Sequence, residues 1–236
     1  TEDERFFSHD GVDYKRTAAV LLNQFIPIYS ENQGGSTITQ QLIKNITLDN
    51  EISWERKIRE IFRALNFEQK YTKDDILEGY LNTIYFGQNE DYYNLNGIEA
   101  ASIGYFGKSV SELTIREAAS LAATPKFPND GNPIKGFEIN QTRAEYTLRK
   151  MFELAAITAE QYEATLNEKV LVSNMPEFKA LYPNAKKIND AQEDFKNPEV
   201  TPYYLDAAIY EFIDYLMDKD GLTHDEANEK FNSGGY

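Results

Sequence analysis

Gln33-Gly34-Gly35-Ser36-Thr37-Ile38-Thr39-Gln40-Gln41-Leu42-Ile43-Lys44-Asn45 is a glycine pair running into hydroxyls, amides and a lysine. Gly34-Gly35 removes the Cβ restriction, so backbone amides there can approach a ligand closely. Ser36 to Gln41 then set donors at the start of a predicted helix, where the dipole favours an anion. The stretch reads as a cradle for an oxyanion or a pyrophosphate, or more plainly as a loop ending in a helix N-cap. No rule ties the string alone to a ligand, so its flanks decide.

Upstream, Thr1-Glu2-Asp3-Glu4-Arg5-Phe6-Phe7-Ser8-His9-Asp10-Gly11 places carboxylates beside two phenylalanines. Glu2 and Asp3 read either as acids near an apolar wall, which raises a carboxyl toward neutrality, or as a solvated terminus. His9 reads as a hydrogen-bonded structural histidine rather than a catalyst. Asp13 is placed to cap a helix through Val20, Leu21 and Leu22, and Pro27 ends it. Phe25-Ile26-Pro27-Ile28-Tyr29 is apolar enough to be core or a patch resting on a membrane surface.

Downstream, Ser53 opens a helix with an apolar stripe of Ile58, Ile61, Phe62 and Leu65, spaced i, i+3, i+4, i+7. Glu60 lies off that stripe, with Arg56 four residues before it, Lys57 three before and Arg63 three after. This is either a set of exposed ion pairs, worth ~0.2–0.5 kcal/mol each, or an ionised acid inside a phosphate-binding cluster. Arg59 adds to the same positive cluster. Thr72 to Asp75 is a capping-box start before Ile76, Leu77, Tyr80 and Leu81, with Glu78 and Asn82 sharing another face. Helices follow from Gly97 to Gly107, after the capping box Thr114–Glu117, through Tyr146, Leu148, Met151 and Leu154, and after the box Thr158–Gln161. Pro125, Pro128 and Pro133 mark a stiff loop, and convincing β alternation is confined to Lys169–Ser173. The first 170 residues are predicted to be mainly α. Residues 175 to 200 read as a connecting segment, followed by an amphipathic helix through Leu205, Ile209, Phe212 and Leu216 that stops at Gly221. Thr223 to Glu226 caps a short helix.

Composition narrows the function classes. The 236 residues carry 39 acidic and 24 basic side chains, a net charge of −15. That balance argues against generic nucleic-acid binding, which needs a basic face. With 41% hydrophobic and 13% aromatic residues the chain can build a core. The absence of cysteine excludes disulfides and thiolate metal sites, and two histidines are too few for an imidazole-based one. No apolar run approaches the ~20 residues that span a bilayer.

Taken in order, these motifs resemble the peptidoglycan glycosyltransferase domain of class A penicillin-binding proteins and monofunctional transglycosylases. Five blocks carry the resemblance: Glu2-Asp3 with Phe6, His9 and Gly11; Gly34 through Gln41; Arg56-Lys57 with Glu60; Ile76-Leu77-Glu78 with Tyr80-Leu81-Asn82; and Glu117-Ala118-Ala119 through Leu121-Ala122 to Pro125. The resemblance covers roughly residues 1 to 172. It implies a lysozyme-like helical glycosyltransferase domain over residues 1–174, with a small membrane-facing jaw subdomain. Residues 175–236 would lead toward a transpeptidase domain. It also implies a protein trimmed at both ends, since the family places a helix and a transmembrane anchor before the first glutamate.

The implied reaction is polymerisation of lipid II, with undecaprenyl pyrophosphate leaving and the anomeric centre inverting. Glu2 would be the general base and Glu60 the second essential carboxylate. The implied substrate-binding set is Asp3, His9, Ser36, Thr37, Gln40, Gln41, Lys44, Arg56, Lys57, Glu78 and Asn82. Glu2 and Asp3 would be the ligands of a divalent cation, Mg²⁺ or Mn²⁺. The implied partners are lipid II, the undecaprenyl-pyrophosphate-linked glycan, a membrane surface and moenomycin-type inhibitors, at the outer face of the bacterial cytoplasmic membrane. Three departures stand out: only Thr1 precedes Glu2, Asn132-Pro133 lacks the tyrosine the family often has before it, and Gln88 to Asn96 is longer and more acidic than usual. A muramidase-like hydrolase and a non-enzymatic cell-wall binding module are the competing readings. A hydrolase would set its two carboxylates about 5–9.5 Å apart across one bond and needs no pyrophosphate site.

Overall fold

The computed structural model describes residues 2–17, 35–47, 53–188, 217 and 219–227. The stretch Phe25–Tyr29, Gly34 and the expected helix through Leu205–Leu216 lie outside them. The fold is mainly α, and the described residues fall into two compact units, one of residues 2–83 with 217–227 and one of residues 84–188. Among the described residues no helix is long and apolar enough to cross a membrane.

Among the described residues the first unit has helices α1 (Ile38–Thr47), α2 (Trp54–Lys70) and α3 (Lys73–Thr83), and before them the loop of residues 2–13 with a 3-10 turn at Phe6–Ser8. Leu42 and Ile43 of α1 are buried, as are Ile76 and Tyr80 of α3, and α1 packs against both other helices. Ser53 caps α2, its side chain accepting from the Arg56 N–H (3.1 Å). Thr72 and Asp75 exchange the bonds of the predicted capping box ahead of α3. Thr223 and Glu226 do the same near the end of the described chain, where Gly221 has φ +65°.

In α2 the structure reverses the expected orientation. The buried residues are Glu60 and Ala64, while Trp54, Ile58 and Phe62 are 68%, 52% and 62% exposed. Periodicity finds the two faces of a helix but not which one meets the protein. Here Gly11 decides: a Cβ on it would lie 2.6 Å from the Ala64 carbonyl oxygen. The loop of the first motif lies directly on the Ala64 side, and φ +84° at Gly11 suits only glycine.

The second unit opens with a two-stranded antiparallel hairpin, β1 (Tyr85–Gln88) and β2 (Asn94–Asn96), with an irregularity in its register. Lys169–Ser173, the expected strand, is not one: it pairs with no strand and ends in a turn, with Val170 and Val172 buried and the Ser173 N–H bonding the Tyr105 carbonyl (2.8 Å). Gly87 of β1 has φ +99°, and any Cβ there would strike the Pro128 carbonyl oxygen at 2.0 Å. The helices are α4 (Ile98–Phe106), α5 (Ile115–Ala123), α6 (Phe137–Glu153), α7 (Ala159–Leu166) and α8 (Pro176–Leu181). Gly107 closes α4 in the left-handed conformation, and both boxes, Thr114–Glu117 and Thr158–Gln161, form as read. Small residues let α5 and α6 approach, so Ala119, Ala123, Ala144 and Leu148 make a buried cluster with Ile157. Asn140 ties the same pair: its Nδ2 donates to the Ser120 and Gly131 carbonyls and to Thr124 Oγ1, at 3.0–3.1 Å. Asn132, in the proline loop, is buried and accepts from the Ile134 and Lys135 N–H groups.

Candidate active site

The first motif is a loop fastened at several points of the first unit. Asp3 is buried, and its Oδ2 accepts from the Ile38 backbone N–H and from His9 Nε2, each at 3.0 Å. Its carboxylate therefore sits at the N-terminus of α1, where the dipole and the unpaired amides of the first turn favour negative charge. Arg16 donates to the Glu2 carbonyl (2.6 Å), and the Glu2 side chain is half-buried. Asp13 caps the helical turn that follows by accepting from the Arg16 N–H (3.0 Å), and it also holds Arg5 (2.7 Å). Burial raises the Asp13 carboxyl, but the Arg16 amide and the Arg5 guanidinium outweigh it and hold it below its ordinary value.

The glycine-to-glutamine stretch divides its labour. Thr37 and Gln40 form a capping box of their own: the Gln40 N–H donates to Thr37 Oγ1 (3.2 Å) and the Thr37 N–H to Gln40 Oε1 (3.0 Å). The Thr37 hydroxyl also donates to the Gly11 carbonyl (2.6 Å), which joins the first motif to the second. The plainer reading, a loop ending in a cap, thus holds for these two residues. Ser36 faces elsewhere and accepts from Lys57 Nζ (3.0 Å). Gln41 Oε1 accepts from the Tyr80 hydroxyl (3.3 Å). Burial, with the Glu2 and Asp3 carboxylates adding to it, raises that hydroxyl and keeps it a proton donor.

Glu60 is 5% exposed. Arg56 Nη1 donates to its Oε2 (2.5 Å) and the Lys57 ammonium to its Oε1. A buried carboxylate is costly unless paired, and two cations within one turn supply the pairing. Lys57 bridges Glu60 to Ser36, so the third motif is joined to the second. Arg56 Nε and Gln40 Nε2 are buried without a hydrogen-bond partner, as are Arg16 Nε and His9 Nδ1.

Of the residues singled out in the sequence, the structure links Asp3, His9, Ser36, Thr37, Gln40, Gln41, Arg56, Lys57 and Glu60 through this bonding. Lys44 stands exposed in the last turn of α1, and Glu78 and Asn82 are exposed on α3. Tyr80, which the sequence placed on a buried stripe and in the fourth resemblance block but not among the site residues, belongs to the linked group. Glu68 and Lys73 also join it, without any motif to announce them: Lys73 Nζ donates to the His9 carbonyl (2.5 Å).

A family model described as Transglycosylase matches residues 1–152. The chain belongs to the transglycosylase family. This transglycosylase is 37% identical over 246 residues to penicillin-binding protein 1A of Clostridium perfringens (strain 13), covering 99% of this chain and 33% of that one. It is 36% identical over 228 residues to penicillin-binding protein 2D of Bacillus subtilis, covering 95% and 29%. Against penicillin-binding protein 1A of Escherichia coli K12 the figures are 40% over 172 residues, covering 72% and 19%. The crystal structure of penicillin-binding protein 1A from Haemophilus influenzae aligns with a TM-score of 0.40 and 32% identity, over 58% of this chain and 17% of that one. The transglycosylase thus spans a third or less of the length of these relatives.

Proposed function

We propose that the protein is a peptidoglycan glycosyltransferase that lengthens glycan strands from lipid II. In the reaction the 4-hydroxyl oxygen of the acceptor N-acetylglucosamine bonds to C1 of the terminal N-acetylmuramic acid of the growing chain. The bond from C1 to undecaprenyl diphosphate breaks, the anomeric centre inverts, and the hydroxyl proton passes to Glu2. A sugar hydroxyl is a poor nucleophile, and a positioned carboxylate base contributes typically ~10²–10⁴ in rate. Negative charge develops on the departing diphosphate, where aimed donors and cations stabilise the transition state most.

The observation that carries the reading is the buried Glu60 set between Arg56 and Lys57, with Lys57 also on Ser36. Glu60 holds the two cations in place, and the unpartnered Arg56 Nε and Gln40 Nε2 offer donors to phosphate oxygens. Lys44 would add a cation from the far end of α1, and Glu78 and Asn82 would meet substrate from α3. A muramidase-like hydrolase has no use for such a cationic cluster, and a binding module has no use for a fastened Glu2. Mg²⁺ or Mn²⁺ fits as an ion that arrives with the diphosphate. Among the described residues no group of three carboxylates or imidazoles is placed to hold a metal, but Asp3 Oδ1, next to Glu2 in sequence, is buried without a hydrogen-bond partner. One or two carboxylates plus substrate phosphates is the usual magnesium arrangement, and the ion would neutralise the leaving group.

The exposed Trp54, Ile58 and Phe62, at i, i+4 and i+8 on α2, support docking on a lipid surface. That matches a site at the outer face of the cytoplasmic membrane working on a lipid-linked substrate, and moenomycin-type compounds would compete for the same diphosphate donors. The test is incubation with labelled lipid II, detergent and Mg²⁺, with products separated by length. A ladder made by the parent and absent with Glu60→Gln supports the polymerase. Cleavage of preformed glycan without a ladder would establish the hydrolase, and glycan binding without either would establish the module.

A further inference from the structure

Lys73, at the first position of α3, is three-quarters buried at its side chain, and its ammonium has three jobs. It donates to the His9 backbone carbonyl (2.5 Å), it pairs with Glu68 (2.7 Å), and it stands 4.4 Å from the centroid of the Phe6 ring. An ammonium has three protons, so this one is fully engaged by the protein. Glu68, near the end of α2, is 5% exposed at its side chain and also accepts from Thr39 Oγ1 of α1 (2.5 Å). Its Cγ lies 3.0 Å from where a Cβ on Gly11 would stand. One buried pair therefore touches α1, α2 and α3 and the first-motif loop at Phe6, His9 and Gly11. Both side chains are engaged by the protein itself, Lys73 by His9 and Glu68 and Glu68 by Thr39 and Lys73.

We infer that Glu68 and Lys73 are positioning residues of this site. The pair fixes the backbone of residues 6–11 on the helices that carry Glu60 and the Ser36–Gln41 stretch, and so sets where Glu2 can reach. The inference rests on the reading of Glu2 as the base. Asp3 and His9 hold the same loop from the α1 side, so loss of the pair loosens the loop without releasing it. Glu2 would then stay on the protein but lose its alignment with the acceptor hydroxyl, and small misplacements of a reacting group cost up to ~10²-fold in rate.

The test compares Lys73→Met, Glu68→Gln and the double variant Glu68→Gln/Lys73→Met by thermal unfolding and by steady-state kinetics on lipid II. Each single change leaves a buried group without its partner and lowers the melting temperature. The double change leaves no lone charge and regains most of that loss. The expected kinetic result is a kcat lowered by roughly 10–100-fold in the double variant, with KM for lipid II within about twofold of the parent. A double variant that regains stability and keeps the parental kcat would overturn the inference, because the pair would then be structural only. Hydrogen exchange at residues 6–11 reads the lock without turnover: faster exchange there in Lys73→Met, with α1 still protected, is expected, and unchanged exchange would overturn it. A parent that makes no polymer but shows the exchange change would instead fault the functional reading alone.

Discussion

Glu2 and Asp3 are neighbours in sequence with opposite surroundings. Asp3 is buried on a helix end and bonded to His9, whereas Glu2 is half-buried and held through its backbone by Arg16. Glu2, the proposed base, is therefore tethered through its backbone. Glu2→Gln is expected to abolish polymerisation while the melting temperature stays within a few degrees of the parent's, because the change is isosteric and leaves the Arg16 bond to the Glu2 carbonyl intact. A variant that still makes a glycan ladder would remove the base assignment. Asp13 carries the acid sensitivity of the same loop. Its carboxyl lies below its ordinary value of 3.8 in the folded protein, so its contribution is present above about pH 4 and is lost as pH falls through the folded value. Urea titrations between pH 5 and pH 3 should show the parent losing stability more steeply than Asp13→Asn. Equal slopes would mean that the cap and Arg5 contribute nothing to acid lability.

At the scale of elements, α2 does two jobs on opposite faces. Its polar side is buried around Glu60 and Ala64, and its apolar side, with Trp54, Ile58 and Phe62, is exposed. Phe62→Glu should weaken binding to anionic lipid vesicles in a flotation assay while leaving helical content unchanged. Unaltered binding would assign the face some other partner. In the second unit, Thr114→Ala removes the cap of α5 and should cost about 1 kcal/mol in denaturant unfolding. These elements also show what a sequence conveys. The boxes at Thr72, Thr114 and Thr158 were legible because each is a bond between residues three apart. The inward face of α2 was not, because the choice depends on Gly11, far off in the chain, lying against Ala64. The hairpin escaped because its strands are four and three residues long, with a register irregularity, and are held by pairing rather than by pattern. Within the site, Glu60 with Arg56 and Lys57 was visible as one helical turn. Glu68 and Lys73 were not, since their partners at Thr39 and His9 come from other segments.

For the whole molecule, the two units separate two tasks. The first carries every residue bonded into the candidate site, and the second is a helical body locked by Asn140 and by the alanine contacts of α5 and α6. Asn140→Ala takes the side-chain donor from the Gly131 carbonyl and the acceptor from the Ser120 hydroxyl and should lower stability by ~1–3 kcal/mol, read in urea unfolding. The carboxylate of Asp3 reaches the first amide of α1 across 35 residues, and the His9 carbonyl reaches Lys73 across 64. Closing loops of that length carries an entropy cost that local helical turns do not. During refolding, then, helical signal should return first and glycan synthesis after it, with the lag measuring the time the first motif takes to find the ends of helices that already exist.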